Sequence, residues 1–496
     1  MGQSYRADDI AKPRAQGLNE AQRAFDYDQD EYSYQKYTRP PPLILPPYLS
    51  CAGGLTGPQK QATGLFCAAM GIAGLFYPGL LLATSAAIFW LIFSVLILWR
   101  AALIAGGLAA SVKRTEFVFD DEINLPIYTV MIAAYDEASV MAQLARAMHA
   151  IDWPADKLDI LLLLEEDDAT TLPAALRANF PRGTRILTVP DGLPRTKPRA
   201  LNYGLARAKG DYVCIFDVED RPHPKQLKSA YRRFRNAASD YACLQAPLIG
   251  ANANRAWLAA HWSLEYAVQF RFLLPALAAI RAPIPIGGTS NHFDKARLIS
   301  AGGWDAFNVT EDADLGLRFA RLRWQIGTIE TGTLEDAPTS FRDWKAQRTR
   351  WIKGFMQTWL VLMKCPRQTA RQMGWPNFAM MQLTLAGAIL APLAHGPFLI
   401  VLFAGILFEQ LSPGIAGWAL LFTGWLITLV GDALAPGVPR RARLFAALTR
   451  PLYWPLHSIA AWIALSEMVT KPHYWAKTPH EPSLDAEPEC FTGYSR

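Results

Sequence analysis

The stretch YVCIFDVED, residues 212–220, decides the fold class. Five residues without charge, Tyr212–Phe216, run directly into Asp217, Glu219 and Asp220. A short, continuously apolar run of β-prone residues is typical of a strand that is buried on both faces of a sheet. In open parallel sheets, ligands bind beyond the carboxyl ends of the strands. The stretch therefore predicts a parallel sheet with an acidic site at one edge.

The segments around this stretch repeat the same alternation of strand and helix. Helical patterns such as Ala138–Ala150 and Pro224–Ala238 separate further apolar runs. Such alternation predicts an α/β domain with a mostly parallel sheet and helices on both faces. The predicted strands are Ile127–Tyr135, Leu158–Leu164, Arg185–Val189, Tyr212–Phe216 and Tyr241–Gln245.

Composition places this domain between two apolar regions. Of the 496 residues, 51% are hydrophobic, and charge is dense from about Phe117 to Arg371 but sparse in the two apolar regions that flank this stretch. The net charge of +6 fits cytosolic loops beside an anionic leaflet. Nucleic-acid binding is not expected, because no basic stripe is interleaved with aromatic residues. The six cysteines show no CxxC spacing, which favours reduced, buried thiols over disulfides or zinc.

The first apolar region predicts two transmembrane helices. Gly64–Ala83 and Thr84–Ile104 each supply about 20 mostly apolar positions, enough to cross a bilayer. Lys113 and Arg114 follow them and favour a cytosolic end there. Two crossings would place both the N-terminal leader and the central domain in the cytosol.

The second apolar region contains four candidate segments. Pro397–Phe408 is short, so it could merge with the preceding segment or be re-entrant. The number of crossings stays open, because the arginines between the last two segments and the tail both favour the cytosol. The candidates are Phe378–Ala394, Pro397–Phe408, Ala416–Ala433 and Leu452–Met468.

These observations predict five units in a multi-pass inner (plasma) membrane protein. The lipid bilayer is then a partner of the chain, and the central domain is cytosolic. The units are a flexible cytosolic leader (1–62), two transmembrane helices (63–106), a cytosolic α/β domain with interfacial helices (115–372), C-terminal transmembrane helices (377–470) and a cytosolic tail (471–496).

Two acidic clusters follow predicted strands, and a third precedes a predicted helix. Glu165–Asp168 follows Leu158–Leu164, Asp217–Asp220 follows Tyr212–Phe216, and Thr310–Glu311–Asp312 opens a helix. One cluster is explained by loop solvation, whereas three favour a site. Asp217 and Glu219 point the same way along an extended backbone and are suitable ligands for Mg²⁺ or Mn²⁺; Asp220 could take the place of either.

Three further groups could act beside these carboxylates. Asp312, with Thr310 as a possible N-cap, lies where an ionised carboxylate is stabilised and could act as a general base; a purely structural role is the alternative. At the start of a predicted helix, Lys197 or Arg199 could bind phosphate, or be solvated. Arg350 and Trp351 offer a fork for phosphate and a flat face for a sugar ring, or form part of a membrane-surface helix.

In this order, the motifs resemble those of family 2 glycosyltransferases, in particular the processive membrane synthases that include bacterial cellulose synthase. The resemblance covers about Leu125 to Trp351. Asp217–Val218–Glu219 is similar to the DxD metal motif, Thr310–Glu311–Asp312 matches TED, and Gln347, Arg350 and Trp351 match QxxRW.

The resemblance implies a GT-A fold and assigns roles to further residues. Asp312 would be the catalytic base, and Asp217 and Glu219 would hold Mg²⁺ or Mn²⁺. The implied donor-binding residues are Tyr135, Glu137, Glu166, Asp168, Lys197 and Asp217. The implied acceptor residues are Trp304, Thr310, Glu311, Gln347, Arg350 and Trp351.

By this resemblance we expect a processive inverting glycosyltransferase. It would polymerise a sugar from a nucleotide-sugar donor, UDP-glucose, onto a growing glycan acceptor and move the β-linked exopolysaccharide across the membrane. Accessory export or regulatory proteins are possible partners. One alternative is a non-processive transferase that adds one sugar to a membrane lipid carrier. Another is a membrane scaffold or transporter with a catalytically inactive domain.

Overall fold

The structure, a computed structural model, describes residues 45–112, 125–236, 240–408 and 414–474. Ten strands lie within these ranges. They are β1 (Tyr128–Ala134), β2 (Leu158–Glu165), β3 (Arg185–Val189), β4 (Tyr212–Phe216), β5 (Arg221–Pro222), β6 (Tyr241–Gln245), β7 (Leu248–Gly250), β8 (Asn291–Asp294), β9 (Gln325–Thr328) and β10 (Thr333–Glu335).

Sixteen α-helices lie within the same ranges. They are α1 (Gly57–Phe76), α2 (Pro78–Val112), α3 (Met141–His149), α4 (Thr171–Arg177), α5 (Lys197–Leu205), α6 (Gln226–Asn236), α7 (Trp257–Val268), α8 (Leu274–Ala279), α9 (Lys295–Ser300), α10 (Glu311–Arg321), α11 (Phe341–Leu362), α12 (Pro366–Met373), α13 (Trp375–Met381), α14 (Gly387–Leu407), α15 (Gly414–Leu434) and α16 (Arg440–Thr470).

The central domain is built on a seven-stranded sheet with the order β3-β2-β1-β4-β8-β6-β9. All neighbours are parallel except β8, which runs antiparallel to β4 and β6. A second sheet, β5-β10-β7, lies beyond the end of β4. Of the five predicted strands, three have the predicted bounds, and the other two differ by one residue at one or both ends. The predicted α/β sheet is confirmed.

Apolar residues pack on both faces of the sheet, as the unbroken strand patterns require. Met131 and Leu163 point into one cluster with α5 and α8, and Val130 and Leu162 point into the other with α3. Because neighbouring residues of one strand enter opposite clusters, successive strand positions are apolar. In the parallel register, Ala134 of β1 lies beside Leu164 of β2 and Ile132 of β1 lies beside Phe216 of β4, so β1, β2 and β4 end at a common edge.

Within the described residues, three helices are long and apolar enough to cross a membrane: Pro78–Ala110, Trp375–Leu407 and Gly414–Leu434. The N-terminal break falls at Tyr77–Pro78 rather than at the predicted 83/84 boundary. Proline fits the first turn of a helix, where its missing N–H has no partner to lose. The short Pro397–Phe408 segment merges with the one before it, and Pro392 and Pro397 lie inside α14.

The leader prediction needs correction over residues 45–62, whereas residues 1–44 lie outside the described ranges. Ser50 Oγ donates to Asp305 Oδ1 at 2.9 Å, and the backbone N–H of Cys51 donates to Asp305 Oδ2 at 2.8 Å. Thr56 then caps α1 through a reciprocal capping box with Gln59. The polar sequence of this segment therefore reflects ordered contacts with the central domain rather than flexibility.

Helices α1 and α2 form a hairpin that returns to the central domain. Gln59, in the first turn of α1, donates from Nε2 to the carbonyl of Leu360 in α11 at 2.8 Å. The other end of the hairpin packs closely on the domain, since a side chain at Gly107 would collide with the backbone of Phe272. The start of α1 and the end of α2 therefore lie on the same side of the molecule.

Candidate active site

A cavity of about 1000 Å³ begins at the carboxyl ends of β1, β2 and β4. Tyr135, Glu165 and Asp217, which follow or end these strands, line its first part. The cavity continues past α7 and α11 and ends between the apolar helices α2, α14, α15 and α16. One space therefore connects the sheet edge with the candidate membrane region.

Lys197 and Asp217 meet at the sheet edge. Lys197 Nζ forms an ion pair with Asp217 Oδ1 and donates to the carbonyl of Gly288 at 2.9 Å. Lys197 is the first residue of α5, so the chain presents an ammonium group and a helix N-terminus together. Burial lowers the pKa of Lys197, but the charges of Asp217 and Glu311 outweigh it, so its pKa is raised. A permanent cation therefore faces the cavity.

Behind Asp217 lies a group of buried acids. Asp220 accepts hydrogen bonds from the backbone N–H of Asp217 at 2.8 Å and from the hydroxyl of Thr289. Burial, followed by the charges of Asp217 and Glu219, raises the pKa of Asp220 well above its usual value. Burial, followed by the charges of Asp220 and Glu219, raises the pKa of Glu335 well above its usual value. Burial and the crowding of like charges therefore favour retained protons on Asp220 and Glu335.

Asp312 lies in the first turn of α10, as the sequence predicts. Burial raises its pKa to about 6, against opposing effects of the Ala313 backbone N–H, Lys197 and Arg350. Its Oδ1 is buried and has no hydrogen-bond partner among the described residues. Thr310 occupies the N-cap position, but its side chain makes no capping hydrogen bond, which corrects that part of the prediction. Asp312 therefore presents an oxygen that is available for a substrate proton.

Helix α11 brings the second predicted motif against this turn. A Cβ atom at Gly354 would lie 2.3 Å from Thr310 Oγ1, so only glycine permits this contact. Gln347, Arg350 and Trp351 all line the cavity. Gln347 Oε1 accepts from Trp262 Nε1 at 3.0 Å, and the ring of Trp351 lies 6.0 Å from that of Tyr266. An aromatic wall therefore flanks the cavity beyond Asp312.

The other predicted donor residues fall into two groups. Tyr135 and Glu137 line the cavity. Glu166 is exposed and accepts from the backbone N–H of Asp191 at 3.2 Å. Asp168 is buried, and its carboxylate accepts from the backbone N–H groups of Asp136, Thr170 and Thr171 at 2.6–3.0 Å. Burial alone would raise the pKa of Asp168, but these hydrogen bonds lower it, so it is an ionised clamp between two loops.

Trp304 lies apart from the cavity lining. It is 3% exposed and packs edge-on against Phe293, with ring centroids 5.7 Å apart. Its backbone N–H donates to Asn202 Oδ1 at 3.0 Å. The structure thus places it in the core beneath α5, whereas Glu311 and Thr310 line the cavity.

Glu335, Glu265 and Arg348 line the cavity and were not predicted from the sequence. Glu335 ends β10 and has a buried Oε2 without a hydrogen-bond partner among the described residues. The signal that could have identified it is the acidic pair Glu335–Asp336, which directly follows the short β-prone run Thr333–Leu334. Glu265 and Arg348, paired at 2.7 Å, also line the cavity. Because these two residues are far apart in sequence, their pairing has no local signature.

The acids at the end of β4 have the chemistry of a divalent cation site. Hard carboxylate oxygens suit Mg²⁺ and Mn²⁺. Asp220 Oδ1 is buried without a partner within the described residues, and burial together with the neighbouring negative charges raises the pKa of Asp220 and of Glu335. In the described part of the chain, no three acidic, His or Cys groups are positioned to bind a metal by themselves. Two carboxylates would need oxygens from a ligand to complete the coordination.

Two protein-family models match the segments that carry these motifs. A family model described as "Glycosyl transferase family 2" matches residues 129–291, and one described as "Glycosyl transferase family group 2" matches residues 212–435. Together they cover the seven-stranded sheet, the Thr310–Asp312 turn and the Gln347–Trp351 motif. The predicted GT-A fold is thereby confirmed.

Several relatives are similar over long stretches. The beta-monoglucosyldiacylglycerol synthase of Synechocystis sp. is 24% identical over 72% of this chain and 76% of its own length. Glucomannan 4-beta-mannosyltransferase 2 of Arabidopsis thaliana is 26% identical over 49% of this chain and 48% of its own length, so the chain spans about half of that relative. The solved mannosyltransferase PcManGT of Pyrobaculum calidifontis, a complex with GDP-Man and Mn²⁺, aligns with a TM-score of 0.47 and 18% identity over 77% of this chain and 99% of its own.

Proposed function

We propose that this glycosyltransferase, which matches family 2 models over residues 129–291 and 212–435, is a processive, inverting β-glycan synthase of the inner membrane. It takes sugar from a nucleotide-sugar donor, UDP-glucose, and extends an exopolysaccharide that leaves through the membrane helices. The observation that carries this proposal is the single cavity. It joins the Lys197–Asp217 edge, Asp312 and the Trp351 wall to the space between α2, α14, α15 and α16.

The donor binds at the sheet edge. Tyr135, Glu137 and the loop held by Asp168 form the nucleotide side, with Glu166 at its rim. Lys197 contacts the diphosphate, where a charge-assisted hydrogen bond replaces the one it makes with Asp217. Asp217 and Glu219 would hold Mg²⁺ or Mn²⁺, and the ion would supply positive charge beside the departing diphosphate.

Asp312 acts as the general base. Its ionised Oδ1 accepts the proton of an acceptor hydroxyl, and the hydroxyl oxygen forms a bond to the anomeric carbon of the donor sugar. The bond from that carbon to the diphosphate breaks, and the diphosphate leaves with the electron pair. One direct displacement inverts the anomeric configuration. Arg350, whose charge opposes the rise in the pKa of Asp312, helps keep this base ionised.

The acceptor glycan lies against the aromatic wall. Trp351 and Tyr266 provide flat faces for sugar rings, and Gln347, oriented by Trp262, offers an amide to their hydroxyls. Thr310 and Glu311 shape the turn that presents Asp312. With the central domain on the cytosolic side of the bilayer, each extended glycan advances toward the helices. Accessory export proteins would continue the route.

The experiment is a donor panel with product sizing. Full-length chain in lipid nanodiscs is incubated with UDP-glucose, UDP-galactose, UDP-N-acetylglucosamine and GDP-mannose, and products are analysed for length and linkage. The proposal expects a β-linked polymer from UDP-glucose alone. Products that stop at one sugar, or a polymer with α-linkages, would contradict it.

Transfer of one sugar to a membrane lipid is a second candidate. The apolar walls that α2, α14 and α15 give the far end of the cavity favour it, as does similarity to the Synechocystis enzyme. Extraction of the reaction with chloroform and methanol separates the two candidates. A radiolabelled lipid in the organic phase without polymer in the aqueous phase supports the lipid acceptor.

A further inference from the structure

The backbone just before Asp312 is held by side chains from one face of α11. Asn308 Nδ2 donates to Thr358 Oγ1 at 2.9 Å, and the backbone N–H of Val309 donates to Gln357 Oε1 at 3.1 Å. The side chains of Asn308, Gln357 and Thr358 are all buried. Polar groups that are buried with their partners satisfied favour a single conformation. Helix α11 therefore sets the position of the turn that presents Asp312.

Gln357 also contacts the segment that follows α16, residues 471–474. Its Nε2 donates to the carbonyl of Pro472 at 2.7 Å, while its Oε1 accepts from Val309. Both ends of one buried amide are thus occupied, one by the turn and the other by the segment. A displacement of residues 471–474 would consequently leave a buried amide donor without its acceptor, which is costly.

His473 gives the same segment a second contact with the turn. Its Nδ1 lies 3.0 Å from the carbonyl oxygen of Phe307, and the two rings meet edge-on with centroids 5.7 Å apart. Because a carbonyl oxygen can only accept, the Nδ1 atom must be the donor. His473 and Tyr474 line the cavity together with Asp312. Residues 471–474 therefore lie beside the proposed base and support the turn from outside α11.

Lys353 fixes this segment from α11. Its ammonium group forms an ion pair with Glu467 of α16 at 2.8 Å and donates to the carbonyls of Tyr474 at 2.7 Å and Lys471 at 3.4 Å. The side chain of Lys353 is only 1% exposed. A buried ammonium needs such partners, and its loss would leave the two carbonyls and Glu467 without their shared donor. Lys353 thus fastens both ends of residues 471–474.

We propose that Lys353 and Gln357 are positioning residues for the sugar transfer, which hold residues 471–474 against the turn that presents Asp312. This inference rests on the proposed function, because it is there that Asp312 is the base. Neither Lys353 nor Gln357 is among the described residues that line the cavity, so both act through the turn rather than on the substrate. A displacement of a catalytic group by about 1 Å can lower a rate by about 10²-fold.

The first measurement compares kcat and UDP affinity of full-length variants in lipid nanodiscs. Lys353→Met removes the ammonium, and Gln357→Leu removes both amide hydrogen bonds. Each should lower kcat at least about tenfold while the Kd for UDP stays within about twofold of wild type. Lys353→Arg, which keeps a charged donor, should retain most of the rate. Lys345→Met, a half-buried lysine of α11 that does not line the cavity, is the matched control and should behave as wild type.

Hydrogen–deuterium exchange of the ligand-free protein separates positioning from a general loss of stability. In Lys353→Met and Gln357→Leu, amide exchange should rise about tenfold in residues 471–474 and 307–312, whereas exchange in the seven-stranded sheet should stay as in wild type. An equal rise throughout the sheet would mean general destabilisation and would overturn the inference. Unchanged exchange at residues 307–312 would overturn it as well.

The two proposals fail in different ways. A wild type that transfers no sugar would refute the proposed function. An active wild type whose kcat is matched within about twofold by Lys353→Met and Gln357→Leu would refute the positioning role alone. Because exchange is measured without donor or acceptor, the dependence of the turn on Lys353 and Gln357 is tested whichever sugar the chain transfers.

Discussion

Lys197 and Asp217 form a direct ion pair across the edge of the sheet, with the Lys197 ammonium also bound to the carbonyl of Gly288. The two residues belong to different elements, the start of α5 and the end of β4. Their pairing places a cation and an anion where a diphosphate and a metal ion would exchange partners with them. Without a ligand, the charged groups of the proposed donor site therefore pair with each other.

Replacement of Lys197 by Gln should weaken donor binding. The neutral amide cannot supply the charge-assisted hydrogen bond, which contributes about 1.5–3 kcal/mol, so the Kd for UDP should rise at least about tenfold. Isothermal titration of UDP against purified protein measures it. Lys209→Gln, at an exposed position away from the cavity, is the control, and equal affinities for both variants would contradict the assignment.

Activity should fall on the acid side as Asp312 is protonated. Burial raises the pKa of this carboxyl to about 6, and the base must be ionised to accept a proton. The log of kcat/KM should therefore be flat above this pKa and decline with unit slope as the pH drops through about 6. UDP affinity measured across the same range is the control. A pH-independent kcat/KM down to about pH 4.5 would argue against this base.

Metal removal should abolish transfer reversibly. Asp217 and Glu219 supply hard oxygen ligands, so EDTA should stop the reaction and Mg²⁺ or Mn²⁺ should restore it. Asp217→Asn should raise the metal concentration that gives half-maximal rate by about tenfold or more. Asp152→Asn, which removes a surface ion pair with Lys228, serves as the matched control. Full activity in EDTA would refute the metal site.

Gly354→Ala should reduce both stability and activity. The added Cβ would fall 2.3 Å from Thr310 Oγ1, so α11 must move away from the turn that holds Asp312. We expect a loss of about 1–3 kcal/mol in the free energy of unfolding and a lower kcat with little change in UDP affinity. Thermal unfolding and kinetics measure the two effects.

The control for this substitution is Gly64→Ala. Gly64 also lies within a helix, α1, and a Cβ atom there would meet no other atom within 4 Å. Alanine at that position should therefore leave both stability and kcat close to wild type. If Gly354→Ala behaved like Gly64→Ala, the close contact between α11 and the Asp312 turn would have no functional consequence.

Much of the parallel sheet was predictable because its strands are buried on both faces. An unbroken apolar run such as Tyr241–Gln245 indicates its conformation locally. Strand β8 was not predictable, because its sequence Asn291–Asp294 is polar. His292 within it is buried, and its ring contacts Tyr128 Oη at 2.8 Å and Gln226 Oε1 at 3.2 Å. Partners that distant in sequence cannot be inferred from a strand pattern.

The site residues also divide into those predictable from local sequence and those that depend on distant contacts. Asp217 and Asp312 were predictable locally, because one directly follows an apolar strand and the other lies at the start of a helix. Trp304 was predicted as an acceptor residue, but it packs against Phe293 in the core. Its burial depends on this tertiary contact, which the local sequence does not reveal. The pairing of Glu265 with Arg348 arises only when α7 and α11 meet. The features that could not be predicted are therefore those that depend on contacts between residues distant in sequence.

The central claim is that Asp312 is the base of a sugar transfer to an acceptor in the adjoining cavity. The most direct test compares incorporation of radiolabelled glucose from UDP-glucose by wild type and Asp312→Asn in nanodiscs, with UDP affinity measured on the same samples. We predict that the variant loses at least about 10²-fold in rate while binding UDP within about twofold of wild type. Incorporation at the wild-type rate by Asp312→Asn would contradict the account.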